Sequence, residues 1–220
     1  MADSHSATHT AVAHQFEDLE QQREAGTLGM WLFLATEIMF FGGMFTAYTV
    51  YRSFHALGFA DASRHLDILL GTINTAVLIC SSFTMVLAVY GAQTDRRKML
   101  VSSLSLTLAL GLVFLGIKAV EYHEKFVEHH VPGSSFHYPG PYGRDAEMFF
   151  SLYFAMTGVH ALHMVIGVGM LGVLIAMASR GRFTPEYHHP IELSGLYWHF
   201  VDIIWIFLYP LLYLIGRHLK

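Results

Sequence analysis

Five stretches of this chain, roughly residues 28 to 51, 67 to 92, 99 to 122, 147 to 178 and 194 to 216, run for more than twenty residues each with few charged side chains. About 20 helical residues rise across a roughly 30 Å hydrocarbon layer, so each stretch is long enough to cross a membrane. All five are far too long for transmembrane β-strands and lack the alternating pattern of a barrel. The expectation is an all-α, polytopic membrane protein, a bundle of five transmembrane helices. With 54% hydrophobic and 14% charged residues and a mean hydropathy of +0.43, the chain has too little polar surface for a soluble domain.

The first 25 residues carry His5, His9, His14, Glu17, Asp18, Glu20 and Glu24 and contain no apolar core flanked by positive charge. They read as a polar N-terminal tail, not a signal peptide, ahead of one membrane domain over 26 to 220. The single cysteine, Cys80, falls within the second stretch, which excludes an internal disulfide and any CxxC site. The net charge is −4 and the one basic run is the short turn Arg96-Arg97-Lys98, so nucleic acid is not an expected partner. Orientation follows from Lys and Arg in short loops. Arg96, Arg97 and Lys98, with Arg180 and Arg182, lie on the side of the N-terminus; Arg52, Arg64, Lys125 and Arg144 lie opposite, with Arg217 and Lys220 on the tail. The slight bias places the N-terminus in the cytoplasm and the C-terminus outside.

Ionisable groups inside such stretches are costly and therefore informative. Glu37 lies about nine residues into the first stretch, on the order of 13 Å at 1.5 Å per residue. A charged carboxylate there costs roughly 2.5 kcal/mol or more, so it must be protonated, hydrogen-bonded or beside water. Gly43 and Ala47, four apart, would let a neighbouring helix approach closely. The fourth stretch holds His160 and His163 one turn apart. An HxxH pair can bind metal, but no further ligands stand at fixed spacing and both rings can be met by helix–helix hydrogen bonds. In the last stretch His199 and Asp202 share a helical face, so each can supply the partner the other lacks in lipid.

In the assumed orientation Glu37, His163, His199 and Asp202 fall in the middle-to-cytoplasmic half of the membrane, where one shared polar network is expected. Lys118 and Glu121, three apart near the outer end of the third stretch, read as an ion pair at the interface. Asn74, Ser81, Ser82 and their neighbours suit interhelical contacts. Residues 129 to 144, rich in Pro and Gly, read as a surface connection, and His188 and His189 as exposed loop histidines.

Several of these segments, in order, resemble subunit III of the haem-copper respiratory oxidases. The strongest are Tyr-Trp-His-Phe-Val-Asp at 197 to 202, Thr36-Glu37-Ile38-Met39-Phe40-Phe41, and Thr157-Gly158-Val159-His160-Ala161-Leu162-His163. Asn74-Thr75 followed by Ser81-Ser82, and Glu121-Tyr122, add weaker support. The resemblance covers nearly the whole chain after residue 25. It implies a subunit with no catalytic site, haem, copper or other metal of its own, flanking the catalytic subunit in a bacterial plasma membrane and keeping the complex active through turnover. Subunits I and II, carrying the haems and copper, would be its partners, together with further respiratory-complex subunits and membrane lipid. The position matching Glu37 lies near a lipid-filled cleft in that family. Those matching His160, His163, His199 and Asp202 are hydrogen-bonded packing positions or lie near the proton-entry side. A bound phospholipid is what the resemblance implies; this chain resembles the seven-helix members without their first two helices, which form one wall of that cleft, so here that wall must come from another subunit, be absent or be supplied by lipid.

The residues alone agree that the chain is not the electron-transfer machine: one Cys and one intramembrane HxxH cannot build a haem and copper centre. The leading expectation is an accessory subunit of a proton-pumping terminal oxidase that takes electrons from cytochrome c and reduces dioxygen to water. Quinol oxidase and nitric oxide reductase assemblies are the alternatives within the same superfamily. A di-metal desaturase or hydroxylase using His123, His160, His163, His188, His189 and His199 is the alternative from another class, though its His boxes would belong at the membrane surface. A small transporter would need broken helices or repeated halves, and neither is seen.

Overall fold

The computed structural model describes residues 15–133, 136–185, 187–214 and 216. Its described helices are α1 (Leu19–Phe54), α2 (Ala56–Ser63), α3 (Ile68–Gln93), α4 (Arg97–Val127), α5 (Gly143–Ser179) and α6 (His189–Tyr209), the last continued by a π-helical turn, Pro210–Leu214. Five of them, α6 counted with its π turn, are long and apolar enough to cross a membrane. No strand is found among the described residues.

α1 starts well before its apolar stretch. Asp18 is extended and its side chain accepts from Gln21 N at 2.7 Å, which caps the helix, and Glu20 sits favourably in the first turn. Residues 19 to 25, expected in the tail, are therefore helical. The rest of the tail up to residue 14 lies outside the described residues. α3 is capped the same way by Asp67, which accepts from Leu69 N at 2.8 Å and Leu70 N at 3.2 Å. α2, eight residues long, was not foreseen. It buries Phe59 edge-on against Tyr48 of α1 and Phe149 of α5.

α3 and α4 form the tightest hairpin. At Gly91 an added Cβ would lie 2.9 Å from the backbone nitrogen of Leu100, so only glycine permits this approach. Asp95, in the turn, takes φ 55°. The α5 end on the same side is closed by Arg97, whose Nε donates to Ala178 O at 3.1 Å and whose Nη2 donates to Ser179 O, a cation on the unsatisfied carbonyls of a helix C-terminus.

α6 packs across α3 and α5, and Trp198 is its anchor. A Cβ on Gly111 of α4 would meet the indole at 2.8 Å, and one on Gly167 of α5 at 2.9 Å, while the indole N–H donates to Ser81 Oγ of α3 at 3.0 Å. One side chain on α6 thereby locks three other helices. Trp205 repeats the motif seven residues, about two turns, later, donating to Thr75 Oγ1 at 3.1 Å.

α1 is attached more lightly, along a stripe of seven-residue spacing formed by buried Leu34, Phe41 and Tyr48. Tyr48 O–H donates to Leu211 O in the π turn at 2.9 Å. Its other faces are open. Gly43, expected to receive a helix, has nothing within 4 Å of its Cβ position, because α5 and α6 meet the opposite stripe.

Candidate functional site

The polar residues in the spans resolve into separate groups, not the single network the sequence led us to expect. Glu37, in the middle of α1, meets α5: its Oε2 lies 3.2 Å from His163 Nε2, within ion-pair range though without hydrogen-bond alignment. The other ring nitrogen, Nδ1, lies 2.9 Å from Val159 O. A carbonyl can only accept, so Nδ1 carries a proton and donates. In the neutral ring Nε2 is then an acceptor facing Glu37. The two groups avoid repulsion only with one proton between them, either as carboxylic acid and imidazole or as carboxylate and imidazolium. Tyr197 O–H donates to His163 O at 2.9 Å, fixing this turn of α5 to α6.

His199 and Asp202 do not serve each other. His199 Nδ1 pairs with Ser82 Oγ of α3 at 2.7 Å. Asp202 is 3% exposed and neither carboxylate oxygen has an aligned hydrogen-bond partner. Ser82 lies beside it, but one hydroxyl proton can serve only one oxygen. Both residues line a cavity of about 420 Å³ between α3 and α6. Among the described residues no hydrogen bond or ion pair joins this group to Glu37 and His163.

His160 stands apart again. It is buried with both ring nitrogens unpartnered, and it packs against Phe114 at 5.5 Å and Trp205 at 5.2 Å between ring centroids. The expectation that it is hydrogen-bonded is not met, because the faces it meets on α4 and α6 are aromatic. The HxxH pair is divided between two environments. No group of three His, Cys, Asp or Glu side chains that could hold a metal occurs among the described residues.

Lys118 and Glu121 pair at 3.0 Å, but in the core and not at an interface. The ammonium has three donors and uses all of them, on Glu121 Oε2, Tyr153 Oη and Tyr213 Oη, each at 3.0 Å. Glu121 Oε1 accepts from Tyr153 O–H at 2.8 Å and also from Tyr213 O–H. The ammonium lies 5.0 Å from the Tyr153 ring centroid and 5.2 Å from that of Trp205. With every ammonium proton and both tyrosine hydroxyl protons engaged, this cage holds α4, α5 and the α6 end together. Tyr153 and Tyr213 were missed in the sequence; Tyr153 stands seven residues before His160, on the same helical face, which is the signal that could have found it.

Outside the spans, His188 and His189 are not exposed loop residues: both turn to Glu192, at 3.1 and 3.5 Å, which also accepts from Gln93 Nε2 at 2.7 Å. On the opposite side His130 Nδ1 lies 3.1 Å from Glu128 Oε2, and Lys125 Nζ donates to the same oxygen at 2.5 Å. Burial pushes the His130 imidazole below its ordinary range despite Glu128. Burial pushes the Glu128 carboxyl up, but Lys125 and His130 outweigh it and hold it below the usual carboxylate range.

This arrangement, a bundle with scattered and mostly structural polar groups, coincides with a close family match. The family model for cytochrome c oxidase subunit III matches residues 17–217. The chain belongs to that family. A cytochrome c oxidase subunit 3 from Thermostichus vulcanus is 32% identical over 206 residues, covering 93% of this chain and 92% of the relative. Those from Cyprinus carpio and Danio rerio are each 34% identical over 196 residues, covering 86% of this chain and 69% of the longer relatives. The chain is thus a multi-pass membrane subunit of a multi-subunit haem-copper oxidase of the respiratory chain. The quinol-oxidase, nitric-oxide-reductase, desaturase and transporter readings gain no support from these matches.

Proposed function

We propose that this subunit III carries no redox centre, sits against the catalytic subunit I with subunit II in the same complex, and supports proton uptake while dioxygen is reduced to water with electrons from cytochrome c. The haems and copper belong to those partners, and further respiratory-complex subunits and phospholipid complete its surroundings in a bacterial plasma membrane. That the relatives are cytochrome c oxidase subunits supports cytochrome c as donor. Basic residues Arg96, Arg97, Lys98, Arg180 and Arg182 support a cytoplasmic N-terminus and an outer C-terminus.

The observation that carries the proton role is the Glu37–His163 contact. It is a one-proton pair at the middle of the membrane spans, on the helix with the most open surface, and it is only partly shielded, with side-chain exposures of 19% and 12%. A carboxyl group facing an imidazole nitrogen at this distance can pass a proton across without leaving a bare charge in hydrocarbon. His199 and Asp202, facing a cavity, supply a second polar position at similar depth.

The Glu37→Gln variant removes the shared acidic proton while keeping the side chain's size. The oxidase should assemble with its full haem content, yet lose activity sooner during turnover or move fewer protons per electron. Unchanged turnover lifetime and proton stoichiometry in vesicles would leave Glu37 a packing residue.

A further inference from the structure

The cavity between α3 and α6 has a polar floor made of Ser82, His199 and Asp202 and an apolar rim that includes Ile79, Phe83 and Ile203. Three observations bear on what fills it. First, Asp202 is almost completely buried, yet neither oxygen has an aligned hydrogen-bond partner, and the one hydroxyl beside them, that of Ser82, can serve at most one. An unmet buried polar group is costly, and more so where no water competes. Secondly, the floor is deep. Asp202 lies 13 residues from His189 and 12 from Leu214, the two ends of its span, or about 18 to 20 Å from either at 1.5 Å per residue. Phospholipid headgroups stay at the interfaces, roughly 15 Å from the midplane, and acyl chains bring no donor.

Thirdly, the rim has the shape of a helix seat. Ile79, Phe83 and Val86 repeat at four and three residues along α3, and Ile203 and Ile206 at three along α6, all about half exposed. They form two ridges beside a groove with acceptors at its centre. Apolar ridges around a desolvated polar centre are the pattern of a helix–helix contact whose hydrogen bond is made mid-membrane.

We propose that this groove receives a transmembrane helix of another subunit of the oxidase, and that the helix places a hydrogen-bond donor side chain, such as Asn, Gln, Tyr, Trp or Arg, on Asp202. The proposal rests on membership of the multi-subunit oxidase. Asp202 then stays unsatisfied in the isolated subunit and is completed by assembly, which makes the contact selective for a partner carrying a donor at that depth.

The test uses the intact complex in its own membranes. Cys80→Ser removes the one native thiol, and Ile79→Cys or Ile203→Cys places a thiol on the rim for a short photoreactive maleimide. Leu162→Cys, exposed on α5, is the control. The rim thiols should cross-link to a transmembrane segment of another subunit, mapped by peptide mass spectrometry. In the same complex Asp202→Leu should make this subunit dissociate about tenfold faster in detergent, the equivalent of about 1.4 kcal/mol. Rim adducts consisting only of phospholipid or quinone, or none to protein while haem-bearing subunits still co-purify through a tag on this chain, would overturn the groove assignment and leave membership intact. If no haem-bearing subunit co-purifies with the unmodified chain, both fail.

Discussion

At the scale of single residues, the spans show how differently ionisable groups can be accommodated in hydrocarbon. Lys118 and Glu121 spend every donor and three acceptors on each other and on two tyrosines, so removing one partner strands the other. Lys118→Met should cost about 3 to 5 kcal/mol in unfolding from mixed micelles, and adding Glu121→Gln should recover a substantial part of it. Equal losses in the single and double variants would contradict this coupling. Sequence spacing sufficed to pair these two, though not to bury them in the core, and it put Glu37 near the middle of α1. It could not tell that His163, and not His199, is the residue that meets Glu37, because partner choice depends on how α1, α5 and α6 are rotated about their axes. The same limit applies to Asp202, whose helical neighbour His199 found a better-aligned partner in Ser82 of α3.

At the scale of elements, hydropathy located all five spans but stopped short wherever a helix runs on into polar sequence. α1 and α5 extend beyond their apolar stretches by several residues, α1 behind the Asp18 cap and Glu20 in its first turn and α5 with Asp145 in its first turn, signals separate from apolarity. α2 escaped notice since eight residues give too little periodicity. The notch that receives Trp198 makes a sharp prediction. Gly111→Ala and Gly167→Ala should each destabilise the bundle by about 1 to 3 kcal/mol, because a rigid indole cannot retreat from a Cβ. Gly172→Ala, where nothing lies within 4 Å, should be neutral or stabilise by up to about 1 kcal/mol. Thermal unfolding in detergent distinguishes the two cases.

The loop after α4 should respond to acid. His130 is lowered by burial, so the unfolded loop takes up a proton more readily than the folded one, and stability falls as pH drops through about 6.5 toward the folded value. Glu128 is also lowered, so its contribution, present above its ordinary value of 4.5, fades at still lower pH. Amide exchange over residues 128 to 133, corrected for intrinsic rate, should therefore quicken between pH 7.5 and 5.5. His130→Phe, which keeps the stacking on Phe150, should abolish most of that change.

For the whole molecule, the distribution of burial carries the functional meaning. α4, α5 and α6 are tied by Trp198 and by the Lys118 cage into a self-sufficient core, whereas α1 is held by one stripe and exposes wide apolar surface with two adjacent glycines. A bundle built this way presents faces to neighbours, in keeping with its family of subunits in a multi-subunit oxidase. The central claim is that it lives in an oxidase. A tag on this chain, a mild-detergent pull-down from native membranes and a reduced-minus-oxidised spectrum of what is recovered test it most directly. Haem a bands co-purifying with the chain are the predicted result; recovery of the chain without any haem-bearing partner would contradict the account.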